Sequence, residues 1–377
     1  MKKKILYVTF NDSPGGIYIS QVIDVVKLYK ENDVDANLIA FVSIRNYIKE
    51  SKKIKSLLPK SKVFPSFPKL KFWSINKFWL LFIHFSSDCV VVARNVFAFN
   101  LLLGKKNQIK CLIYDGRGAV FAEHQEYNVY RGTGIEKYIY NLEYNAIHQS
   151  DYRIAVSNKL VEYWVEKYDY LAGKETIMPC TISNDFNKIK NDQKLNILRN
   201  KLGIKKDDIV LIYSGSVAGW QSFSSVSEIV KKALSQGGNI KMIFLSPENS
   251  TINKLKFEYP DHVFQLLVSH EEVVDYLDIS DFGLLIRDNT ITNKVSSPVK
   301  CAEYLSRGLK VLISSGIGDY SKEIMLNNLG YVIDNKNKLP ILSTIIIEKD
   351  NQRIYASKNL SKKSKLIINN YLNLLDL

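Results

Sequence analysis

The clearest strand and helix signals of the sequence lie in two stretches, GLLIRD over residues 283–288 and NKVSSPVKCAEYLSRGLKVLI over residues 293–313. They predict a buried strand, a polar loop, a helix that begins at Ser297-Pro298, and a second strand after Gly308. Proline in the first helical turn and glycine just past the last turn are common helix boundaries. A strand, a helix and a second strand in this order are typical of a parallel α/β sheet.

The same alternation of apolar strands and amphipathic helices runs through the rest of the chain. It predicts an α/β protein with two doubly wound, Rossmann-like domains that face each other across a cleft. We expect the N-terminal domain over residues 1–183 and the C-terminal domain over residues 209–349. The polar stretch over residues 184–208 is predicted to connect them, and residues 350–377 are predicted to form a C-terminal helix that can cross back to the first domain.

Ten strands are predicted from short apolar runs that are bounded by polar or turn-forming residues. They are Lys4–Phe10, Asn37–Ser43, Cys89–Ala93, Lys110–Tyr114, Tyr152–Val156, Ile209–Ser214, Lys241–Leu245, Phe264–Leu267, Phe282–Ile286 and Lys310–Ile313.

Composition narrows the class of function. Of the 377 residues, 46% are hydrophobic and 24% are charged, so the chain can bury a core and is not disordered. The 52 Lys and Arg against 38 Asp and Glu give a net charge of +14. This excess favours an anionic partner, which is a nucleic acid, an acidic membrane surface or a phosphorylated substrate. The four cysteines are far apart, and no His, Cys and Asp cluster has metal-ligand spacing, so no disulfide or metal site is predicted.

Aromatic and basic residues are mixed over Leu70–Phe85, which contains two Trp and four Phe. Two interpretations stay open for this segment. It can be a buried helix under the first sheet, or it can face an anionic membrane surface, where aromatic rings lie at headgroup depth and lysine meets the lipid charge. Since the chain has no run of 18 uncharged apolar residues, no transmembrane helix is predicted.

Lys300 and Glu303 are the residues whose types and spacing point most specifically to a ligand. They are three residues apart near the start of a predicted helix, so they share one helical face. A cation there can neutralise a diphosphate, which also gains from the helix dipole, and a carboxylate can accept hydrogen bonds from two ribose hydroxyls. The alternative is an exposed Lys–Glu pair of little energetic weight.

Two glycine-containing turns follow predicted strands, at Gly15-Gly16 and at Gly215-Ser216. Free backbone N–H groups in such turns can bind phosphate, especially where a helix begins. A turn that needs glycine only for its shape is the alternative in both places.

The segment over residues 280–315 resembles the nucleotide-sugar signature of GT-B glycosyltransferases, particularly the retaining family 4 enzymes of bacterial surface polysaccharide synthesis. In that group the stretch commonly has Ser-Pro-x-Lys-x-x-Glu-Tyr-Leu, as found here over residues 297–305. Looser similarity extends to Gly215-Ser216, to residues 268–273 and to Ser157. The resemblance implies a set of donor-binding residues, in which Glu303 binds the ribose and Arg287 and Lys300 bind the diphosphate beside Pro298, His270 lies near the base, and Gly15, Gly16, Gly215 and Ser216 lie near the transferred sugar or the diphosphate.

The segment after Tyr114 resembles an Asp-x-Arg-Gly element of some bacterial members. Asp115, Arg117 and His124, together with Glu123, are therefore candidates for catalysis through acceptor positioning or proton handling. An ordinary ion pair between Asp115 and Arg117, and a surface histidine, are the alternatives.

Two features that are frequent in the family are missing from this sequence. The family often has a second glutamate eight residues before the one that corresponds to Glu303, and here that position is Val295. An Arg/Lys pair usually follows the first strand of the second domain, where this chain has residues 219–222 with the sequence GWQS. Arg287 is the expected substitute for the lost cation.

By resemblance, the chain is expected to move a sugar from a nucleotide-sugar donor to a glycan or lipid-linked acceptor. The reaction is expected to retain stereochemistry and to need neither a metal nor a cofactor, in the cytoplasm at the inner face of a bacterial membrane. Two other classes stay open: a nucleotide-sugar epimerase of GT-B-like fold and a non-catalytic basic binding protein. No nucleic-acid motif is apparent and lysine is scattered through both halves, so nucleic acid is not an expected partner.

Overall fold

The computed structural model describes residues 2–183, 186, 191–216, 219–237, 239–334, 339–342 and 349–377. The chain divides into two compact units. The first comprises Met1–Ser183, Val295–Ser297 and Lys362–Leu377, and the second comprises Asn184–Lys294 and Pro298–Ser361. Each unit contains one parallel sheet with intervening helices, which is the α/β architecture predicted from the sequence.

The first unit is built on a parallel sheet whose central strands are almost entirely apolar. Its described strands are β1 (Lys4–Phe10), β2 (Asp35–Ser43), β3 (Lys62–Ser66), β4 (Cys89–Arg94), β5 (Cys111–Gly116), β6 (Tyr152–Ala155) and β7 (Glu175–Ile177). They pair in the order β3-β2-β1-β4-β5-β6-β7. The first six follow the strand order of dinucleotide-binding folds. Helices on both faces bury the central strands, which therefore form continuous apolar runs.

The helices of the first unit connect these strands in sequence. They are α1 (Gly16–Tyr18), α2 (Asp24–Glu31), α3 (Tyr47–Leu57), α4 (Asn95–Leu102), α5 (Val120–Tyr127), α6 (Ile139–Gln149) and α7 (Asn158–Tyr168). A π-helical turn over Ile19–Ile23 joins α1 to α2. Ser157 caps α7 by accepting a hydrogen bond from the backbone N–H of Leu160.

The second unit repeats the same strand order. Its described strands are β8 (Ile209–Ser214), β9 (Ile240–Leu245), β10 (Val263–Leu266), β11 (Phe282–Leu285), β12 (Lys310–Ser314) and β13 (Gly330–Ile333), paired in the order β10-β9-β8-β11-β12-β13. Its described helices are α8 (Asp192–Lys201), α9 (Phe223–Leu234), α10 (Ser250–Glu258), α11 (Val273–Asp278), α12 (Ile291–Lys294), α13 (Val299–Ser306), α14 (Tyr320–Leu326) and α15 (Lys349–Asn359).

The C-terminal region contains two helices where the sequence predicts one. After α15, the chain leaves the helical conformation and resumes it in α16 (Lys365–Asn373). The helix α15 belongs to the second unit, whereas α16 packs into the core of the first, where Ile367 and Tyr371 are buried. The backbone carbonyl of Tyr371 accepts a hydrogen bond of 2.9 Å from the Tyr29 hydroxyl.

The predicted connection over residues 184–208 is only partly described, since residues 184–185 and 187–190 lie outside the described part of the chain. The remainder is not an extended linker. The helix α8 occupies Asp192–Lys201, and the Asn191 side chain caps it by accepting from the backbone N–H of Lys194 at 3.1 Å.

The segment Leu70–Phe82 forms consecutive 3-10 helices with a kink at Phe72. The buried-helix interpretation is wrong for its outer residues, because Phe72, Phe78 and Leu81 are exposed to solvent. None of the helices in the described part of the chain has the length and apolar character that crossing a bilayer requires.

Candidate functional site

The second sheet reverses its winding between β8 and β11. These strands are neighbours, while β9 lies beyond β8 and β12 lies beyond β11. The connections from the two strands therefore leave in opposite directions, and their carboxyl ends border a crevice of the kind that binds ligands in open α/β sheets. Gly215 and Ser216 directly follow β8, and Arg287 follows β11, so three predicted site residues lie at this switch point.

Lys300, in the first turn of α13, contacts Tyr213 near the end of β8 and Gln221 after that strand. Its Nζ donates hydrogen bonds to the Tyr213 hydroxyl at 3.1 Å and to Gln221 Oε1 at 3.0 Å, and it lies 4.2 Å from the centroid of the Tyr213 ring. Burial, with the charge of Arg287 acting in the same direction, lowers the pKa of Lys300 well below its ordinary value. Both hydrogen-bond partners are neutral, so the ammonium group is suited to meet an anion from outside the protein.

Gly215 brings the backbone of the loop after β8 against this ammonium group. Its φ of +148° is rarely adopted by residues with a side chain, and a Cβ at this position would lie 2.2 Å from Lys300 Nζ. The backbone conformation therefore favours glycine here, and a side chain would displace the end of Lys300. The backbone carbonyl of Ser216 accepts a 2.7 Å hydrogen bond from the Tyr213 hydroxyl, which ties the loop to the same tyrosine.

Glu303 lies one helical turn after Lys300 and is half-buried. Burial raises the pKa of its carboxyl group to about 7, and the charge of Lys300 opposes this only in part. No hydrogen bond to this carboxyl group forms within the described residues. A half-buried acceptor of this kind fits a ligand that supplies hydroxyl donors.

Tyr304 fixes α13 on the sheet. Its hydroxyl accepts a 3.0 Å hydrogen bond from the backbone N–H of Ser214, at the end of β8. Its ring lies where a Cβ on Gly283 would approach within 2.2 Å, so the glycine in β11 provides the space that the ring fills. The Glu-Tyr pair of the sequence motif therefore combines a structural residue with a candidate binding residue.

The loop after β11 is held by side chains of neighbouring elements. The backbone N–H of Arg287 donates to Ser314 Oγ at 2.9 Å, and its guanidinium group donates to Asn293 Oδ1 at 3.3 Å. The Asp288 backbone N–H donates to Ser222 Oγ at 2.8 Å. Arg287 thus lies close enough to Lys300 to affect its pKa, and both cations belong to one site.

The sequence predicts Pro298 as the first helical residue of α13, but in the structure Pro298 is the N-cap. The helix begins one residue later, at Val299, because Pro298 has the extended ψ of 121°. The fixed φ of proline, here −64°, suits the cap as well as the first turn.

His270 lies in the loop after β10, next to Phe186, with 5.6 Å between the ring centroids. Its Nε2 is buried and has no hydrogen-bond partner within the described residues. No hydrogen bond or ring contact joins it to Lys300 or Glu303 in the part of the chain that the structure describes. Its expected position near the base therefore stays a prediction.

The first unit has an equivalent switch point between β1 and β4, where charges are internally paired. Arg94, the last residue of β4, lies 3.5 Å from Asp12 and 3.4 Å from Asp115, measured between guanidinium nitrogens and carboxylate oxygens. Arg117 contacts the other oxygen of Asp115 at 2.8 Å. The sequence predicts the pairing of Asp115 with Arg117, but it gave no reason to single out Arg94 or Asp12.

The four charges of this cluster are shielded from solvent to different degrees. Asp115 is fully buried. The side chain of Asp12 is mostly buried with a smaller exposed part, and its burial raises the pKa of its carboxyl group. For Arg117, burial acts to lower the pKa, but Asp115 and smaller contributions from other neighbouring groups together outweigh it, and the pKa lies above its ordinary value. The charges are paired by proximity, although the three guanidinium nitrogens of Arg117 and Oδ1 of Asp115 are buried without a hydrogen-bond partner among the described residues. A catalytic role for Asp115 and Arg117 stays a prediction.

Gly15 and Gly16 begin the helical segment that follows β1. Gly15 is the N-cap of α1, with a φ of −90°, and a Cβ at this position would meet no other atom within 4 Å. The turn is therefore open beside the glycine, and its shape does not require one.

His124 lies in the last turn of α5, where its Nδ1 accepts a 3.4 Å hydrogen bond from the backbone N–H of Tyr130.

The start of α5 is capped by Glu143, a residue that the sequence pattern does not single out. The Glu143 carboxylate accepts hydrogen bonds from the backbone N–H groups of Val120 and Phe121 at 2.9 and 2.8 Å. This carboxylate occupies the anion-attracting end of α5.

No group of three or more His, Cys, Asp or Glu side chains is arranged to bind a metal within the described ranges. The expectation that the reaction needs no metal and no cofactor stays a prediction, because an unliganded arrangement of residues does not test it.

No protein-family model and no curated protein matches the sequence. Solved structures match over almost the whole chain. HepE from Anabaena in complex with UDP is 15% identical, with a TM-score of 0.70 over 99% of this chain and 100% of that one. A glycosyltransferase from Rickettsia africae is 14% identical, with a TM-score of 0.70 over 100% and 98% of the two chains. WaaG, a glycosyltransferase involved in lipopolysaccharide biosynthesis, is 14% identical, with a TM-score of 0.64 over 99% and 98%.

These similarities are too low in sequence identity to transfer an activity, but they extend over both units and both sheets. They confirm the predicted GT-B resemblance at the level of architecture, while membership of family 4 stays a prediction. The chain has the GT-B fold, with two α/β units of Rossmann-like strand order.

Proposed function

We propose that this chain is a glycosyltransferase that moves a sugar from a nucleotide-sugar donor to a glycan or lipid-linked acceptor. The observation that carries the proposal is Lys300, a half-buried cation that is held by two neutral partners at the switch point of the second sheet. A diphosphate would neutralise this charge, and Glu303 lies one turn away to accept hydrogen bonds from the ribose.

The proposed reaction breaks the bond between the anomeric carbon of the donor sugar and the diphosphate oxygen. A new bond forms between that carbon and the acceptor hydroxyl oxygen, and the hydroxyl proton passes to the leaving diphosphate. Negative charge accumulates on the diphosphate as the bond breaks, so preorganised cations stabilise the transition state more than the ground state. Lys300 and Arg287 have this role in the proposal, together with backbone N–H groups after β8.

The structural neighbours support the choice of donor and setting. HepE has been solved with UDP and with UDP-glucose, so UDP-sugars are the first donors to test. WaaG is a glycosyltransferase involved in lipopolysaccharide biosynthesis, which supports a role in bacterial surface polysaccharide assembly. We place that role at the inner face of the membrane as part of the same proposal. Retention of stereochemistry and independence from metal ions belong to the same proposal.

The test begins with thermal unfolding in the presence of UDP, GDP, ADP, CMP and their common sugars. A ligand that binds only the folded chain raises the unfolding temperature. With the donor found in this way, Lys300→Met is expected to reduce turnover by roughly 100- to 1,000-fold, the range for loss of one preorganised charge-stabilising group. Glu303→Ala is expected to weaken nucleotide binding.

A matched control exists in the first unit. Lys159 and Glu162 are also three residues apart on a helix and form an exposed ion pair. Lys159→Met and Glu162→Ala should leave turnover unchanged. Turnover that is near normal in both Lys300→Met and Glu303→Ala would remove the proposed donor site.

Two further measurements separate this proposal from its alternatives. Conversion of the donor to a new nucleotide-sugar without any acceptor would indicate an epimerase. Turnover that persists in EDTA would support the cationic diphosphate site, and a strict Mg²⁺ requirement would contradict it.

A further inference from the structure

We infer that the outer face of Leu70–Phe82 docks the first unit onto an anionic lipid bilayer. We call this face the aromatic patch, and it comprises Phe72, Ile75, Phe78, Leu81 and Phe82. The inference deepens the proposed function, on which its biological meaning rests, because it specifies the surface by which the enzyme would reach a lipid-linked acceptor.

The spacing of the aromatic patch follows from the local helix geometry. A 3-10 helix has three residues per turn, so side chains three positions apart project from the same side. Ile75, Phe78 and Leu81 have this spacing after the kink at Phe72, and all five residues of the patch are between 45% and 71% exposed.

A second row of residues holds the segment on the body of the unit. Trp73 contacts Phe97, with ring centroids 6.0 Å apart, and Trp79 stacks on Phe64 at 5.3 Å. Asn76 is fully buried, accepts a 3.0 Å hydrogen bond from the backbone N–H of Phe67, and donates one of 2.8 Å to the carbonyl of Trp73. The aromatic patch is therefore displayed by an anchored segment and not by a loose loop.

The stretch of sequence that carries the aromatic patch is strongly basic. Residues 51–87 contain eight lysines and no Asp or Glu. All eight are exposed: Lys52, Lys53, Lys55, Lys60, Lys62, Lys69, Lys71 and Lys77. The helix α3 and the 3-10 segment supply five of them, and both contact the edge strand β3, which carries Lys62, so these charges lie in one region of the unit.

This combination of side chains fits an anionic bilayer better than other occupants. Phenylalanine, leucine and isoleucine gain free energy at the boundary between headgroups and acyl chains, and each nearby lysine adds roughly 1 kcal/mol at an anionic surface. A second copy that docked through the same face would bring two uncompensated lysine clusters together, which is unfavourable.

The test measures retention of the full chain by sedimenting vesicles. Vesicles of phosphatidylcholine with and without phosphatidylglycerol are compared at low and high salt. We expect retention on the anionic vesicles at low salt and a large loss of retention at high salt or on pure phosphatidylcholine. Failure of the unaltered chain to bind anionic vesicles at low salt would overturn the inference.

Two pairs of variants separate the apolar and ionic contributions. Phe78→Ser with Phe82→Ser should reduce the partition coefficient by on the order of tenfold. Lys69→Gln with Lys77→Gln should reduce it roughly fivefold for each charge removed. Circular dichroism and thermal unfolding verify that each variant is folded, and if one pair fails to fold, the other still tests the surface.

Matched controls lie in the second unit, where Phe257 is 88% exposed beside the exposed Lys254 and Lys256. Phe257→Ser, and Lys254→Gln with Lys256→Gln, should bind vesicles as the unaltered chain does. Equal losses in patch and control variants would overturn the assignment to this surface. So would a solution dimer that Phe78→Ser with Phe82→Ser converts to monomers.

Nucleotide binding without vesicles is measured on the same preparations, so that the two proposals fail separately. Loss of vesicle binding with nucleotide binding intact would disprove only the docking surface. Vesicle binding without any nucleotide binding would leave the docking surface supported and would contradict the proposed transferase.

Discussion

The two sheets have the same strand order, but charges are arranged differently at their switch points. At the first, Arg94 and Arg117 lie against the carboxylates of Asp12 and Asp115. At the second, Lys300 donates its hydrogen bonds to a hydroxyl and an amide oxygen. One cluster pairs its cations with carboxylates, whereas the other holds a lysine whose hydrogen-bond partners carry no charge.

The difference shows that strand order determines where polar residues lie, whereas their charges determine what they can bind. Strand order places polar residues at the carboxyl edge of both sheets, so position alone does not identify a ligand site. The charge balance of the buried groups distinguishes a cluster that stabilises the fold from one that is suited to an anion. Three changes, ordered by the size of the expected effect, test this distinction.

The largest effect is expected for Asp115→Ala. It would leave two buried or nearly buried guanidinium groups without their shared carboxylate, and the free energy of unfolding should fall by about 3–5 kcal/mol. Chemical denaturation measures this loss. Nucleotide affinity of the folded variant should be unchanged, because the charges of the cluster pair with one another within the first unit.

A stability change below about 1 kcal/mol for Asp115→Ala, with a large loss of turnover, would break the comparison. It would restore Asp115 and Arg117 to the catalytic role that the sequence resemblance implies.

An intermediate effect is expected for Gly215→Ala, and Gly15→Ala is its counterpart after the first strand of the first sheet. At Gly215 the new Cβ would collide with the Lys300 ammonium, and the positive φ adds strain of order 1–3 kcal/mol. Nucleotide affinity should fall by roughly tenfold or more, since Lys300 must move (about 1.4 kcal/mol per tenfold). Isothermal titration and denaturation measure the two effects.

Gly15→Ala should change stability by less than about 0.5 kcal/mol, because the backbone conformation is ordinary and the space beside it is open. Equal destabilisation in both variants would show that the close contact between Gly215 and Lys300 is not the reason for glycine at that position.

The smallest effect concerns the pH dependence of stability. The pKa of Glu303 is about 7 in the folded chain, against an ordinary value of 4.5. Its contribution to stability is therefore full below about pH 4.5 and is lost as the pH rises through 7. Glu303→Gln should make the decline in stability between pH 5 and pH 7.5 shallower.

Unfolding temperatures measured across that range provide the comparison, with the exposed Glu162→Gln as a control that should keep the original slope. An unchanged slope in Glu303→Gln would show that the carboxyl group titrates in the folded chain much as it does in water. The claim that its position is shielded would then be wrong.

The central strands were predictable because they are short, continuous and apolar. The predicted bounds of β1 and β8 agree with the structure at both ends. The strands that the sequence did not reveal lie at sheet edges, where fewer side chains are buried. Of these, β3 contains Pro65, β7 has three residues, and β13 has four. The break between α15 and α16 was missed because amphipathic spacing continues on both sides of it.

Local sequence could place Lys300 and Glu303 on one face of α13, because helical periodicity fixes that relation. It could not show that Lys300 contacts Tyr213 and Gln221, which are 87 and 79 residues away in the chain. The position of Arg94 in the sequence already indicates that it is paired. A lone arginine at the end of a buried parallel strand must find a partner, and the carboxyl edges of neighbouring strands are where one is available.

The most direct test of the account is a crystal structure of the chain with the nucleoside diphosphate that raises its unfolding temperature most. We expect the diphosphate beside Lys300 Nζ and Gly215, and both ribose hydroxyls within hydrogen-bonding distance of the Glu303 carboxylate. A nucleotide bound elsewhere, with Lys300 still hydrogen-bonded to Tyr213 and Gln221 and no ligand at Glu303, would contradict it.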